Sequence, residues 1–260
     1  MDKNAFFQKY TINEDTFDKL GLSWDELLKI YEDYGARIPM YEENTRRLAE
    51  TLNGERAIHS IKYRVKDREH LIEKIIRKSS LDPNFTVNFE NYTKNVKDLI
   101  GLRALHLFKE DWINIHRFLA SNWDFYTKPR ANYKKGDQQS LLDMYADAGC
   151  ELNEHRHGYR SIHYHLLIRQ GREELVAEVQ VRTLFEEAWS EIDHYFRYSV
   201  KHDSVQSEPY LGVLNNITSN ADALASFINH MDAYNKLPDN GGAERRRHNV
   251  REIYKRVSRG

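Results

Sequence analysis

Apolar residues recur along this chain at two periods, and the places where the period changes mark the expected elements. From the N-terminus to about residue 58 the spacing is helical. Trp24, Leu27, Leu28 and Tyr31 fall on one face, and Tyr41, Thr45, Leu48 and Leu52 mark a second. Asn53-Gly54 then ends the run as a C-cap pair does. Next, Ile61, Tyr63 and Val65 alternate with Lys62, Arg64 and Lys66, the two-residue period of a half-buried strand. Asp67 is the expected N-cap of a helix that carries Leu71, Ile72, Ile75 and Ile76 on one face and His70, Lys74 and Lys78 on another.

After the turn residues Asp82-Pro83-Asn84, the segment from Val96 to Phe108 reads as a second strand with a glycine, Gly101, near its start. A glycine there permits a bulge, which would let Asp98 and Arg103 face the same side despite their odd spacing. Residues 127 to 158 read as a long polar connection punctuated by Pro129, Gly136, Gly149 and Gly158, with a short helix around Gln139 to Tyr145. The clearest alternation follows. Tyr159, Ser161, His163 and His165 share one strand face, and Ile162, Tyr164, Leu166 and Ile168 share the other. A turn over Arg169 to Arg172 returns the chain with Leu175, Ala177, Val179 and Val181 toward the core and Val176, Glu178, Gln180 and Arg182 away from it. Thr183 opens a helix to Tyr198, expected to pack through Phe185, Ala188, Trp189, Ile192 and Phe196. A final helix bears Leu211, Leu214, Ile217, Ala221, Leu224, Ile228 and Met231 at helical spacing, and Gly241-Gly242 releases a polar tail.

Composition narrows the class. Hydrophobic residues make up 40% and charged residues 30% of 260 positions, as in ordinary globular proteins. No apolar run approaches the ~20 residues of a membrane span, and the polar N-terminus is unlike a secretory signal. Cys150 is the only cysteine, so no internal disulfide forms and a reducing, cytoplasmic setting is expected. The net charge of −1 conceals basic clusters at Arg64 to Lys78 and at Arg245 to Arg259, with Glu186, Glu187, Glu191 and Asp193 between them. Local basic patches in a neutral protein suit phosphate ligands better than bulk nucleic acid.

The polar faces, taken together, define candidate chemistry. One sheet would present Lys62, Arg64 and Lys66; Arg103 near Asp98; Tyr159, Ser161, His163 and His165; and Glu178, Gln180 and Arg182. Cations hold polyphosphate, and separated carboxylates hold Mg²⁺, which takes oxygen ligands and often only one or two from protein. A merely solvated sheet face has the same pattern, so periodicity alone leaves both readings open. His155, His157, His163 and His165 lack the cysteine partners common in zinc sites. Glu191-x-x-His194 has di-iron spacing but no second copy.

Four segments resolve that choice by resemblance. IKYRVKDREHLIEKI, NVKDLIGLRAL, HGYRSIHYHL and AEVQVRTLFEEAWSEIDH resemble, in order and spacing, the motifs of the RelA/SpoT synthetase domain, over about residues 59 to 200. No segment resembles that family's His-Asp hydrolase domain, so the chain looks like a small alarmone synthetase. The resemblance implies an α+β fold related to nucleotidyltransferases: a mixed, largely antiparallel sheet of about five strands flanked by helices. Residues 1–58 would form an N-terminal helical segment, 59–200 the synthetase core, and 201–260 a C-terminal helix and Arg-rich tail.

The resemblance also implies roles. Arg64 and Arg103 would sandwich the adenine of ATP, and Lys66, His70 and Lys74 would contact its phosphates. Asp98 and Glu178 would hold Mg²⁺, with Glu178 also the base for the acceptor hydroxyl. Tyr159 would stack on the acceptor base, with His163 and Gln180 placing ribose and phosphate. The reaction implied is pyrophosphate transfer from ATP to the ribose 3′-hydroxyl of GDP or GTP, giving ppGpp or pppGpp and AMP. One departure concerns the acceptor. The family's short Pro- and Lys-rich approach to Gly-Tyr is missing; Lys128-Pro129-Arg130 lies far upstream, and Arg156-His157 precede Gly158. Arg156, Lys134, Lys135 or His157 would then meet acceptor phosphates. Other relatives pyrophosphorylate the tRNA 3′ CCA end as toxins held by an antitoxin, or make adenosine alarmones, and a nucleotide sensor without turnover is a third class. The C-terminal helical stripe is read as core or as a homo-oligomer contact.

Overall fold

The computed structural model describes residues 1–171, 173–199 and 208–235. The Arg-rich tail and Gly241-Gly242 lie outside the described residues. The N-terminal helical region is three helices: α1 (Lys3–Tyr10), α2 (Glu14–Asp18) and α3 (Trp24–Leu52). There follow β1 (Ser60–Val65), α4 (Arg68–Leu81), α5 (Tyr92–Asn95), β2 (Ile100–His106), α6 (Trp112–Asn122), β3 (Phe125–Tyr133), α7 (Gln139–Asp147), β4 (Glu151–Glu154), β5 (Ser161–Gln170), β6 (Glu173–Thr183), α8 (Leu184–His194) and α9 (Glu208–Asn235). The class is α+β, with a mixed sheet flanked by helices, as expected. The sheet has six strands rather than about five, in the order β1-β2-β6-β5-β3-β4.

The extra strand comes from the region read as a loose connection. β3 and β4 pair in parallel, Arg130 opposite Glu151 and Tyr133 opposite Glu154, with α7 as the crossover between them. At the other edge, the His59 amide bonds the Leu105 carbonyl and the Lys66 amide bonds the Leu99 carbonyl, so β1 runs antiparallel to β2. An edge strand has a neighbour on one side only, and Tyr63, expected in the core, is 55% exposed.

The chain divides into two compact units. The first comprises Met1–Thr51, Lys62–Leu102 and His165–Val179; the second comprises Leu52–Ile61, Arg103–Tyr164 and the described residues from Gln180 onward. In the first unit, Leu27, Ile30, Tyr34 and Tyr41 of α3 and Leu71, Ile72, Ile75 and Ile76 of α4 are buried. The start of α4 is seated by a close approach. Arg68 spreads its guanidinium over the Tyr31 ring at 3.9 Å, and a Cβ at Gly35 would fall 2.5 Å from that guanidinium carbon. Asp67 caps the helix, its carboxylate accepting from the amides of Glu69 and His70.

In the second unit, Trp112, Ile115 and Leu119 of α6 and Tyr164 of β5 are buried, and the Trp112 indole donates to the Tyr164 hydroxyl at 2.9 Å. α8 begins at a capping box in which Thr183 and Glu186 satisfy each other's amides. Of the residues expected to pack α8, Trp189 is buried, whereas Phe185 and Ile192 are each 39% exposed and Glu187 is buried in their place. α9 keeps Leu211 of its apolar stripe inward beside Asn215 and Asp222, while Ile217, Leu224 and Ile228 of that stripe face outward. Asn215 meets Arg160 and Gly158, and Asp222 meets Thr183. Polar partners, rather than the apolar stripe, select the packed face. Among the described residues no helix is long and apolar enough to cross a membrane.

Candidate active site

In the first unit, a carboxylate sits between two lysines. Asp98 lies on the turn before β2, not on the strand itself, so a turn rather than the strand pleat sets its direction. Lys66 Nζ is 2.9 Å and Lys74 Nζ 2.5 Å from Asp98 Oδ2, and all three side chains are largely shielded. The backbone of Lys66 is held from two sides, its amide on Leu99 and its carbonyl accepting from the Tyr34 hydroxyl at 2.7 Å. Lys74 comes from the polar face of α4.

The charges are unbalanced. Burial works against ionised Asp98, but Lys74 and Lys66 outweigh it and hold the carboxyl below its ordinary range. Burial lowers Lys66, against the pull of Asp98 and with the repulsion of Lys74 and Arg64. Lys78, one helical turn beyond Lys74, is lowered by burial and by Lys74 as well. Three crowded ammonium groups against one carboxylate leave a surplus of positive charge that a polyphosphate would neutralise. Asp98 Oδ1 is buried with no hydrogen-bond partner among the described residues. A buried carboxylate oxygen left without a donor suits a cation, so the residues fit a magnesium ion.

The other predicted residues of this unit lie as follows. Arg64 is exposed on β1, beside Gly101 of β2. Glu178 is half-buried on β6. His70 stands in the exposed first turn of α4, its ring edge-on to Tyr10 at 6.0 Å and its Nδ1 3.6 Å from Asp67. Of the three residues expected on the ATP phosphates, Lys66 and Lys74 meet at Asp98, and His70 is not part of that contact.

The second unit brings Tyr159, His163 and Gln180 together. The Tyr159 hydroxyl is 3.0 Å from His163 Nε2 and 3.5 Å from Gln180 Oε1. The Tyr159 amide donates to His155 Nδ1 at 3.3 Å, and the two rings lie 5.3 Å apart. Arg182 lies behind this group, 5.4 Å from the Tyr159 ring centre, and donates to Gln180 Oε1 at 2.9 Å. It was read as an outward residue of β6 but is 1% exposed. The Gln180 carbonyl oxygen thus accepts from both Tyr159 and Arg182, which fixes the amide beside the tyrosine. Arg103 of β2 is paired with Glu187 at 3.1 Å and with Glu191. Carboxylates grip a guanidinium at its N–H edges, which leaves its flat faces open for stacking.

Beside Tyr159 is a cleft of about 320 Å³ whose lining includes Lys134, Lys135, His155, Arg156, His157 and Arg197. Gly158 turns the chain here at a φ of +75°, and Asn215 clamps its carbonyl. Arg160 grips Asp137 with two nitrogens, and the Asp137 carboxylate accepts the Lys134 amide, which fixes the loop carrying Lys134 and Lys135. Burial and the nearby Arg160 lower the Lys134 pKa against the pull of Asp137, and burial with the neighbouring His157 lowers His155. Arg156, predicted for the acceptor, lines this cleft.

Three contributors had no site role in the sequence reading. Lys78 was placed on the polar face of α4 and Arg182 on the polar face of β6, but neither was given a task. Glu187 had only its charge as a signal, because its pairing with Arg182 joins β6 and α8.

Comparison with known proteins shows the family and the fold. A family profile described as a region found in RelA / SpoT proteins matches residues 63–203. GTP pyrophosphokinase YwaC of Bacillus subtilis is 24% identical over 158 residues, 58% of this chain and 64% of that protein, so the chain spans less than two thirds of that relative. GTP pyrophosphokinase YjbM of the same organism is 25% identical over 180 residues, 67% of this chain and 73% of that protein. Among solved structures, small alarmone synthetase 1 from Bacillus subtilis superposes with a TM-score of 0.62 at 21% identity, covering 78% of this chain and 99% of that one. It has also been solved with its product pppGpp and with AMPCPP. At these identities the likeness establishes the shared fold.

Proposed function

This chain belongs to the RelA/SpoT family, of the small alarmone synthetase type, and from that premise we propose that it transfers pyrophosphate from ATP to the ribose 3′-hydroxyl of GDP or GTP. The observation that carries the proposal is the Lys66–Asp98–Lys74 cluster, with its cationic surplus and its buried, partnerless Oδ1. The relative's binding of pppGpp and AMPCPP supports the choice of nucleotides.

Each residue then has a task. Arg64 and Arg103 offer guanidinium faces to adenine. Lys66 and Lys74 neutralise the ATP phosphates as charge moves onto AMP. His70, exposed at the start of α4, reaches phosphate from outside that pair. Asp98 and Glu178 hold Mg²⁺, which would screen the negative charge of the transferring group when bound. Glu178 takes the proton from the acceptor hydroxyl. The 3′-oxygen bonds to the β-phosphorus of ATP, the bond from that phosphorus to the α–β bridging oxygen breaks, and AMP leaves with that oxygen. Tyr159 stacks on the guanine, His163 and the Gln180 amide orient the ribose, and Arg156 with Lys134 and Lys135 meets the 5′-phosphates.

Self-association through the outward stripe of α9 is part of the proposal, supported by the exposure of Ile217, Leu224 and Ile228. The direct test offers ATP labelled in its β,γ-phosphates to GDP, GTP, ADP, ATP and bulk tRNA in parallel. Label on GDP or GTP with matching AMP release is the expected result. Label only on tRNA, only on adenine nucleotides, or on nothing would overturn the assignment.

A further inference from the structure

Glu187 is a carboxylate from α8 buried between two arginines of different strands. Its Oε1 is 3.1 Å from Arg103 Nη1, and its Oε2 is 3.0 Å from Arg182 Nε, with 6% of the side chain exposed. Arg103 is the arginine assigned to adenine. Arg182 contacts the acceptor-side group, donating to Gln180 Oε1 at 2.9 Å and lying 5.4 Å from the Tyr159 ring. Its remaining Nη1 is anchored on Ser190 Oγ at 2.7 Å, one helical turn beyond Glu187. Glu191, also one turn along α8, pairs among the described residues with Arg103.

Stability alone does not account for this arrangement. Burying charges costs solvation, and replacing buried ion pairs with apolar side chains is often neutral or stabilising. What the carboxylate supplies is geometry, because rotating either guanidinium shifts the oxygen that the other one uses.

We infer that Glu187 is a positioning residue that ties the adenine-side arginine to the tyrosine and glutamine of the acceptor side. This rests on the proposed roles of Arg103 and Tyr159. A nucleotide that immobilises Arg103 stiffens Glu187, hence Arg182, and presents Gln180 and Tyr159 already ordered to the acceptor. The coupling runs equally in the other direction.

The test measures GDP binding with and without AMPCPP, and both KM values with kcat, in wild type, Glu187→Gln, Glu187→Asp and Glu191→Gln. In the wild type AMPCPP tightens GDP binding by about fivefold or more, within the usual range of coupling between sites. Glu187→Gln turns an amide N–H toward one arginine; it abolishes the tightening and raises both KM values while kcat falls less. Glu187→Asp keeps the charge but is too short to hold both arginines, so it retains turnover and loses the coupling. It decides the matter alone if Glu187→Gln is not recovered folded. Glu191→Gln raises the KM for ATP and leaves the KM for GDP unchanged. Wild-type coupling in the Glu187 variants, or a change in the KM for ATP alone, overturns the inference. A wild type that transfers no pyrophosphate defeats the functional reading itself, and the inference with it.

Discussion

Lys74 Nζ lies 2.5 Å from Oδ2 of Asp98, and the other oxygen of that carboxylate is buried without a partner. The lysine keeps the carboxylate ionised inside the protein without using its second oxygen. The pair therefore prepares both a negative ligand for a metal and a positive contact for phosphate.

The acid limb of activity follows from this pair. Lys74 and Lys66 hold the Asp98 pKa below its ordinary value. A depressed carboxyl keeps its charge, and the stability that depends on it, until the pH falls through the folded pKa. Removing the Lys74 charge relieves the larger of the two pulls on this carboxyl. Lys74→Met should therefore move the acid limb of the kcat/KM profile to higher pH and raise the KM for ATP. An unmoved limb would separate activity from Asp98.

Tyr159 should act on the acceptor alone. Stacking on an aromatic side chain is worth about 1–3 kcal/mol per base, so Tyr159→Ala should raise the KM for GDP roughly 5- to 150-fold. Tyr159→Phe should keep the stacking and lose the hydroxyl contact to His163, with a smaller effect. Steady-state kinetics with each substrate varied decides this. A rise in the KM for ATP instead would exclude an acceptor role.

Asp222 should make the fold less stable as the pH rises. It is 1% exposed; burial first, then Glu186, pushes its pKa up to about 7, against Lys109, the Thr183 hydrogen bond and Arg160. In the unfolded chain the pKa is about 3.9. The folded state therefore retains a proton that the unfolded state has lost, and stability declines as the pH climbs from about 4 through about 7. Asp222→Asn, which can still accept from Thr183, should raise Tm by several degrees at pH 8 and by roughly half as much at pH 5.5 in calorimetry. Equal shifts at both pH values would show that Asp222 does not titrate in this range.

The outward stripe of α9 should hold copies together. Ile217→Asp combined with Leu224→Asp removes exposed apolar surface and touches none of the inward contacts at Asn215 or Asp222. The molar mass from light scattering should fall relative to wild type without loss of helical signal. An unchanged mass would leave the stripe with no role in assembly.

What could be read from the sequence was whatever local periodicity determines. The β5–β6 hairpin, the apolar face of α4 and the cap at Asp67 are set by neighbours within a few residues, and each appears as expected. β3 and β4 do not announce themselves, because one contains Lys128-Pro129-Arg130 and the other has only four residues. Their pairing from Arg130–Glu151 onward is a long-range fact. α9 was read as either core or an oligomer contact, and the choice rests on distant partners: hydrogen bonds to Arg160 and Thr183 bury Asn215 and Asp222 and leave Ile217, Leu224 and Ile228 outside. Within the candidate site, Lys66, Lys74, Tyr159, His163 and Gln180 were legible as residues on polar faces. The direction of Asp98 was not, since a turn and two lysines from elsewhere in the chain determine it. Nor was the burial of Arg182 and Glu187, whose pairing joins two elements.

The central claim is that this protein moves a pyrophosphate group using the carboxylates of Asp98 and Glu178. The most direct measurement follows AMP and labelled guanosine product formed from β,γ-labelled ATP and GDP by wild type, Asp98→Asn and Glu178→Gln. Wild type should give both products in equal amounts. Each variant should lose at least about 100-fold in rate, a barrier increase of about 2.7 kcal/mol, with an unchanged circular dichroism spectrum. Wild-type rates in either variant, or AMP without labelled guanosine product, would contradict it.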